Sequence, residues 1–358
     1  WLEAHAQYRA NPSSPHRLGA RAETAIANAR SRVAAALGCD SQDVVWMSGA
    51  TEANNTIVRH FAVTSLGAHA WVSAIEHPSV LAPVRHYFPR THRVIPVNAA
   101  GVVELQWLEK AFKESTPAFV AVMAANNETG VLQPWKEIAA LCRRFGVPYF
   151  CDAVQWIGKI DARELHTSDF VSGSAHKFGG PQGIGFLKCA ASLDPLLRGG
   201  PQEEGRRAGT ENVAGILAAA AALDERSSAI AADGGLLQKK TDARDRFINE
   251  LLRLLPDVRV IGIDAARLWN TVAVIMPRLR GDARWVVKLD KQGVAVSTGS
   301  ACASGREEPS HVARALEIPS DQAGRILRFS GGWETTEAEW RELLDAIERI
   351  VRGVGISE

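Results

Sequence analysis

Phe170-Val-Ser-Gly-Ser-Ala-His-Lys177-Phe-Gly-Gly-Pro-Gln-Gly-Ile-Gly185-Phe-Leu-Lys188 reads as a short apolar strand, a polar end, a glycine-rich turn and a second strand pairing back on the first. The same rhythm runs upstream of it. Residues 44–47 form an apolar strand that ends in Ser48-Gly-Ala-Thr-Glu-Ala-Asn54 and leads into a helix through about residue 63. Residues 71–75 form a strand, Glu76-His77-Pro78 a turn, and a helix follows. Residues 119–123 run into Asn126-Asn-Glu-Thr-Gly130, and residues 147–150 lead onto Asp152. Strands alternating with helical stretches predict an α/β fold with a mostly parallel sheet. In such sheets ligands bind outside the carboxyl ends of the strands. The polar clusters nearly all fall at those ends, so they are expected to converge on one site.

Further out, residues 18–37 read as an amphipathic helix with Gly38 as its C-cap. An Ala-rich helix is expected at 213–223, a charged one at about 236–255, and an amphipathic one from about 337. From about residue 256 the pattern changes to short strands with a polar loop around 300. This predicts two domains: residues 1–235 as a large α/β domain and 236–358 as a smaller α+β domain.

The chain has 358 residues, 46% hydrophobic and 23% charged, which is ordinary globular composition. Forty-one basic residues against 40 acidic ones leave a charge of +1, so no global field attracts nucleic acid or an anionic membrane. The five cysteines are odd in number and widely spaced, with no C-x-x-C pair. No disulfide framework or metal site is expected, and a reducing, cytoplasmic setting fits. No apolar run reaches the roughly 20 residues that span a bilayer, and no signal-peptide pattern is present. The chain opens on Trp1, not Met, so the biological start is expected upstream.

Lys177 sits between a strand end and a glycine-rich turn. Burial there would lower its pKa and make it a Schiff-base amine; position alone reads equally as an exposed loop lysine. The turn is neither a P-loop nor a dinucleotide fingerprint. Asp152, with Gln155 three residues on, ends an apolar strand. A carboxylate there can keep a heteroaromatic ring nitrogen protonated, as in pyridoxal phosphate enzymes, or can simply cap the next turn. Ser48 to Thr51 offers a helix N-terminus to a phosphate, or is a plain N-cap.

Taken together with Glu76-His-Pro-Ser-Val80, Ala125-Asn-Asn-Glu-Thr-Gly130, Asp152-Ala-Val-Gln155, Ser174-Ala-His-Lys177, Arg207-Ala-Gly-Thr-Glu-Asn212, Gly299-Ser-Ala-Cys302 and Arg328-Phe-Ser330, the sequence resembles the NifS/IscS-type cysteine desulfurases. These are class V, fold-type I pyridoxal phosphate enzymes, and the motifs span most of the chain in the family's order. The resemblance implies a homodimer that binds pyridoxal 5'-phosphate. Lys177 would form the Schiff base, Asp152 would pair with the ring nitrogen and Gln155 would bond the ring hydroxyl. His77 would stack on the ring and assist proton transfers. Thr51, Ser174 and His176, with backbone amides near Ala50, would hold the phosphate, and Thr210 would reach the neighbouring subunit's phosphate. Asn127 and Arg328 would grip the substrate carboxylate, a role that suits a guanidinium fork. Cys302, in the smaller domain's polar loop, would attack the sulfur of L-cysteine and carry it as a persulfide, leaving L-alanine. Because the attack needs a thiolate, activity is expected to fall at low pH.

The resemblance further implies a sulfur-acceptor protein, such as an iron–sulfur scaffold, and no direct nucleic-acid or membrane partner. Three features depart from the family pattern. An N-terminal Leu-Asp-x-x-Ala-Thr-Thr-Pro element is absent and is expected upstream of Trp1. The family's Arg-Phe-Ser-Leu-Gly-Arg reads Arg328-Phe-Ser-Gly-Gly-Trp333, and Pro201 replaces a common glycine. The competing readings are a selenocysteine lyase, an aminotransferase-like class V enzyme, and a non-catalytic scaffold of the same fold.

Overall fold

The structure is a computed structural model that describes residues 1–190, 192–232, 234–298 and 310–356. The chain divides into two compact units. The first comprises Trp1–Ile95, Glu104–Ala124 and Gln133–Ala232. The second comprises Pro96–Val103, Ala125–Leu132 and the described residues from 234 onward. The sequence reading sets one boundary after residue 235, whereas the fold also assigns two inner segments to the second unit. Their partners are distant in sequence: Leu132 N–H donates to the Ala266 carbonyl, and Val131 bridges to Arg267.

Seven strands of the first unit form one sheet: β1 (Val44–Met47), β2 (Ala70–Ser73), β3 (His92–Ile95), β4 (Phe119–Ala121), β5 (Tyr149–Asp152), β6 (Phe170–Ser174) and β7 (Gly185–Cys189). Their order is β1-β7-β6-β5-β4-β2-β3, and β7 alone runs antiparallel to its neighbours. This is the expected α/β architecture, with residues 185–188 pairing back as read. Strand β5, paired parallel on both sides, is buried along its whole length, as a parallel strand covered on both faces must be. Phe61 stacks on Phe119 at 4.7 Å and meets Phe170 edge-on at 5.4 Å. Burying each such ring contributes roughly 1.5–3 kcal/mol.

Strand β3 and the helix Leu105–Glu114 were not legible in the sequence. β3 is an edge strand with only Ile95 fully buried, so its residues carry little apolar signal. The helix expected at 213–223 runs on to Ala232.

The second unit holds an antiparallel sheet of β8 (Arg259–Val260), β9 (Thr271–Ile275), β10 (Ser297–Thr298) and β11 (Ile326–Ser330), ordered β10-β11-β9-β8. Phe247 and Leu251 of the helix Leu236–Leu254, with Trp340 and Ile347 of the helix Glu337–Val354, pack on Val272, Val274, Leu327 and Phe329. The last helix starts with a reciprocal Thr336–Glu339 capping box, which satisfies two otherwise orphaned donors. No helix among the described residues is long and apolar enough to cross a membrane.

Candidate active site

Strand register brings the polar ends of the first unit together. Gly185 lies opposite Met47 on one side and Ser174 on the other, and Asp152 lies opposite Ser172. A Cβ on Gly185 would come within 2.6 Å of Gly49 Cα, so only glycine admits this approach. The segment Gly49–Thr51 and the Ser174–Lys177 turn therefore leave the same edge of the sheet. Gly49 caps the helix Ala50–Thr64 without a side-chain bond, so the first amides of that helix have no capping acceptor.

Asp152 is 5% exposed. Its Oδ1 accepts from Val154 N–H (3.1 Å) and its Oδ2 from the Asn54 amide (3.0 Å). Burial raises its carboxyl above the ordinary range, while Val154, His77 and Asn54 pull it back. His77 is the N-cap of the helix Pro78–Tyr87, with Pro78 at the position where a missing N–H costs nothing. Burial lowers the His77 imidazole; Asp152 opposes that and the Lys177 charge adds to it. Ser174 Oγ lies 2.9 Å from His176 Nδ1, and partial desolvation followed by the Lys177 charge lowers that imidazole too, although the residue is exposed.

Lys177 follows one of the two readings that its position left open. Its side chain is exposed, not buried. The short turn Ala175–Lys177 points Ala175 inward and leaves His176 and Lys177 outward. Gln155 is held by the buried Lys159, whose ammonium donates to Gln155 Oε1 at 2.6 Å. Thr51 and Thr210 are exposed. The segment bearing Thr210 is tied back by Arg207, whose Nε donates to Glu52 at 2.9 Å near the start of the helix Ala50–Thr64.

Glu76 is fully buried, and Oε1 accepts from Ser73 Oγ (2.6 Å) and Met123 N–H (2.8 Å). Burial pushes its carboxyl from 4.5 up to about 8; Asp152 adds to this, and the two donors oppose it. The folded state thus keeps a proton that the unfolded chain releases, so stability falls as pH rises from about 4.5 to about 8. Glu76→Gln removes that titration. Its Tm is expected to fall less steeply than wild type across this window; parallel Tm–pH curves would contradict the assignment.

In the second unit, Arg328 donates through Nη1 to the Asn127 carbonyl (2.7 Å) and through Nη2 to Ser297 Oγ (3.1 Å). Arg328 Nε and Asn127 Oδ1 are buried with no hydrogen-bond partner among the described residues. Glu128 accepts from Ser310 Oγ at 2.6 Å. Burial pushes Glu128 up to about 7, against the pull of Ser310 and Arg328. A guanidinium with a buried, unmet N–H suits an incoming carboxylate.

Cys302 lies outside the described residues. Cys142, Cys151 and Cys189 are buried and Cys39 is half-buried. Burial raises all four thiols, Cys39 and Cys189 to about 11, Cys142 to about 12 and Cys151 further.

A family model of class-V aminotransferases matches residues 2–343. The cysteine desulfurase IscS of Dictyoglomus turgidum is 37% identical over 350 residues, covering 95% of this chain and 87% of that protein. The chain belongs to the cysteine desulfurase family. A solved NifS-like protein superposes on this desulfurase-family chain with a TM-score of 0.87 at 30% identity, covering 99% of this chain and 94% of its own. SspA in complex with cysteine gives a TM-score of 0.78 at 28% identity, covering 92% and 94%.

Sequence reasoning about this desulfurase-family chain missed several polar residues around the site. Asn54 and Ser79 lie inside quoted motifs but received no role, and Glu76, Lys159 and the Glu52–Arg207 pair were likewise passed over. Asn54 did carry a signal. It precedes Ile57, Val58 and Phe61 on the buried stripe of its helix, where a polar side chain needs partners.

Proposed function

We propose that the chain is a pyridoxal-phosphate-dependent cysteine desulfurase, converting L-cysteine and an acceptor thiol to L-alanine and a persulfide. The observation that carries this reading is Asp152: a buried carboxylate, fixed by Asn54 and Val154, at a strand end beside His77 and within electrostatic reach of the same ring as Lys177.

The residues fit the cofactor. The uncapped amides at Ala50 and Thr51, with Ser174 Oγ and His176, form a donor set suited to a phosphate. Asp152 would hold a protonated ring nitrogen, and Lys177 offers the amine that would join the aldehyde. Lys159 occupies Gln155 Oε1 as a pure donor, which leaves the Gln155 amide N–H to face a ring oxygen. Pyridoxal phosphate, when bound, supplies an electron sink for the bonds broken at the substrate's carbons.

The chain's own groups do the rest. Arg328 and Asn127 bind and orient the substrate carboxylate. Lys177 would move the substrate's α-proton. The Cys302 thiolate attacks the substrate sulfur: the S–S bond forms, the Cβ–S bond breaks, and the electron pair left on carbon takes up a proton to give alanine. Thr210 completes the neighbouring site in a homodimer. The persulfide sulfur passes to an acceptor protein for iron–sulfur clusters or other thio-compounds, in a reducing, cytoplasmic setting.

The loaded protein is expected to make L-alanine from L-cysteine. Arg328→Lys keeps the charge but loses the fork, and should raise KM by roughly tenfold or more, the worth of one charged hydrogen bond. Accumulation of the pyridoxamine form in place of alanine would mark a transaminase and contradict the reading.

A further inference from the structure

Two polar side chains, Asn54 and Ser79, join Asp152 to His77, and the donors point outward from Asn54, one toward Asp152 and one toward Ser79. Asn54 is completely buried. Its amide nitrogen donates to Asp152 Oδ2 at 3.0 Å and to Ser79 Oγ at 2.8 Å. The reverse orientation would set the Asn54 carbonyl oxygen against a carboxylate. An amide NH2 only donates, so Ser79 Oγ accepts from it and keeps its own proton for another acceptor. His77 Nδ1 lies 2.7 Å away, and Ser79 N–H points at the same nitrogen from 3.1 Å. A ring nitrogen facing two donors presents its lone pair, which places the proton of a neutral imidazole on Nε2.

We propose that Asn54 and Ser79 are positioning residues that lock His77 as the Nε2–H imidazole, so that it meets the substrate as a hydrogen-bond donor and not as a base. The hydroxyl and the backbone amide both hold Nδ1, and the hydroxyl is the one that the Asn54–Ser79 relay orients and that a substitution can remove. A neutral imidazole donor stabilises negative charge developing beside it, and the α-proton then falls to Lys177. Burial and the Lys177 charge, acting against Asp152, lower the imidazole's pKa, in accord with the lock. The proposal rests on the desulfurase reading only for the use made of Nε2–H; the tautomer belongs to the protein itself.

The test is 15N NMR of the full chain loaded with pyridoxal phosphate and labelled at its ten histidines, with His77 identified from the His77→Gln spectrum. The expected pattern is a protonated Nε2 and a proton-free, hydrogen-bonded Nδ1. A proton on Nδ1 overturns the proposal. Ser79→Ala should give averaged ring nitrogens as both tautomers become populated, and Ser79→Thr, which keeps the hydroxyl, should restore the wild-type pattern. A Ser79→Ala spectrum identical to wild type overturns the relay. In turnover, Ser79→Ala should lower kcat about tenfold, a fraction of what a placed proton donor contributes, with little change in KM; an unchanged kcat overturns the catalytic use of the lock. A wild-type protein with the Nε2–H signature that makes no alanine would refute the desulfurase reading and leave the lock standing.

Discussion

Cys302→Ser is expected to lower alanine formation from L-cysteine by at least roughly 100-fold while leaving cofactor uptake intact. The argument is chemical. A serine hydroxyl is un-ionised at neutral pH and is a poor nucleophile toward sulfur, whereas a thiolate is a good one. No described cysteine is suited to take over. Cys142, Cys151 and Cys189 are packed in the interior, and burial holds those thiols and Cys39 far above neutrality, so almost none is thiolate at pH 7. Cofactor uptake should survive, because every group proposed to hold the cofactor lies elsewhere in the chain. Alanine release at the wild-type rate would show that another group attacks the substrate sulfur.

Lys177→Ala is expected to have an effect of similar or greater size, a loss on the order of 10³-fold, because it removes both the anchoring amine and the group that moves the α-proton. Its stability should change by no more than about 0.5 kcal/mol, since the side chain is exposed and an exposed truncation creates no cavity. That contrast makes the result informative: Tm should hold while turnover disappears. The His77 and His176 imidazoles should both rise toward their ordinary range, since the Lys177 charge contributes to lowering each. A Lys177→Ala protein that unfolds, or that keeps more than a tenth of wild-type turnover, would contradict the assignment.

Much of this was legible in the sequence, for identifiable physical reasons. The strands β1, β4, β5 and β6 are buried and open on apolar residues, and the parallel-sheet rule then sends their polar ends to one edge. The edge strand β3 escaped because exposure frees it from that pattern. Membership of 96–103 and 125–132 in the second unit escaped because it depends on pairings such as Val131 with Arg267, far apart in sequence. The choice between a buried and an exposed Lys177 stayed open because it is made by a three-residue helical turn after β6 that rotates the side chain outward, a local geometry that residue type does not encode. The relay from Asp152 through Asn54 and Ser79 to His77 was hidden for a different reason. Its members come from two helices and a strand, and only the packing of those elements gives a buried asparagine its partners.

The central claim is that Cys302 carries sulfur taken from L-cysteine. Mass spectrometry of the Cys302 peptide, after one turnover without reductant and alkylation, tests it most directly. The account predicts one added sulfur on Cys302 and an equal amount of L-alanine. Sulfur on any other cysteine, or alanine formed with Cys302 unmodified, would contradict it.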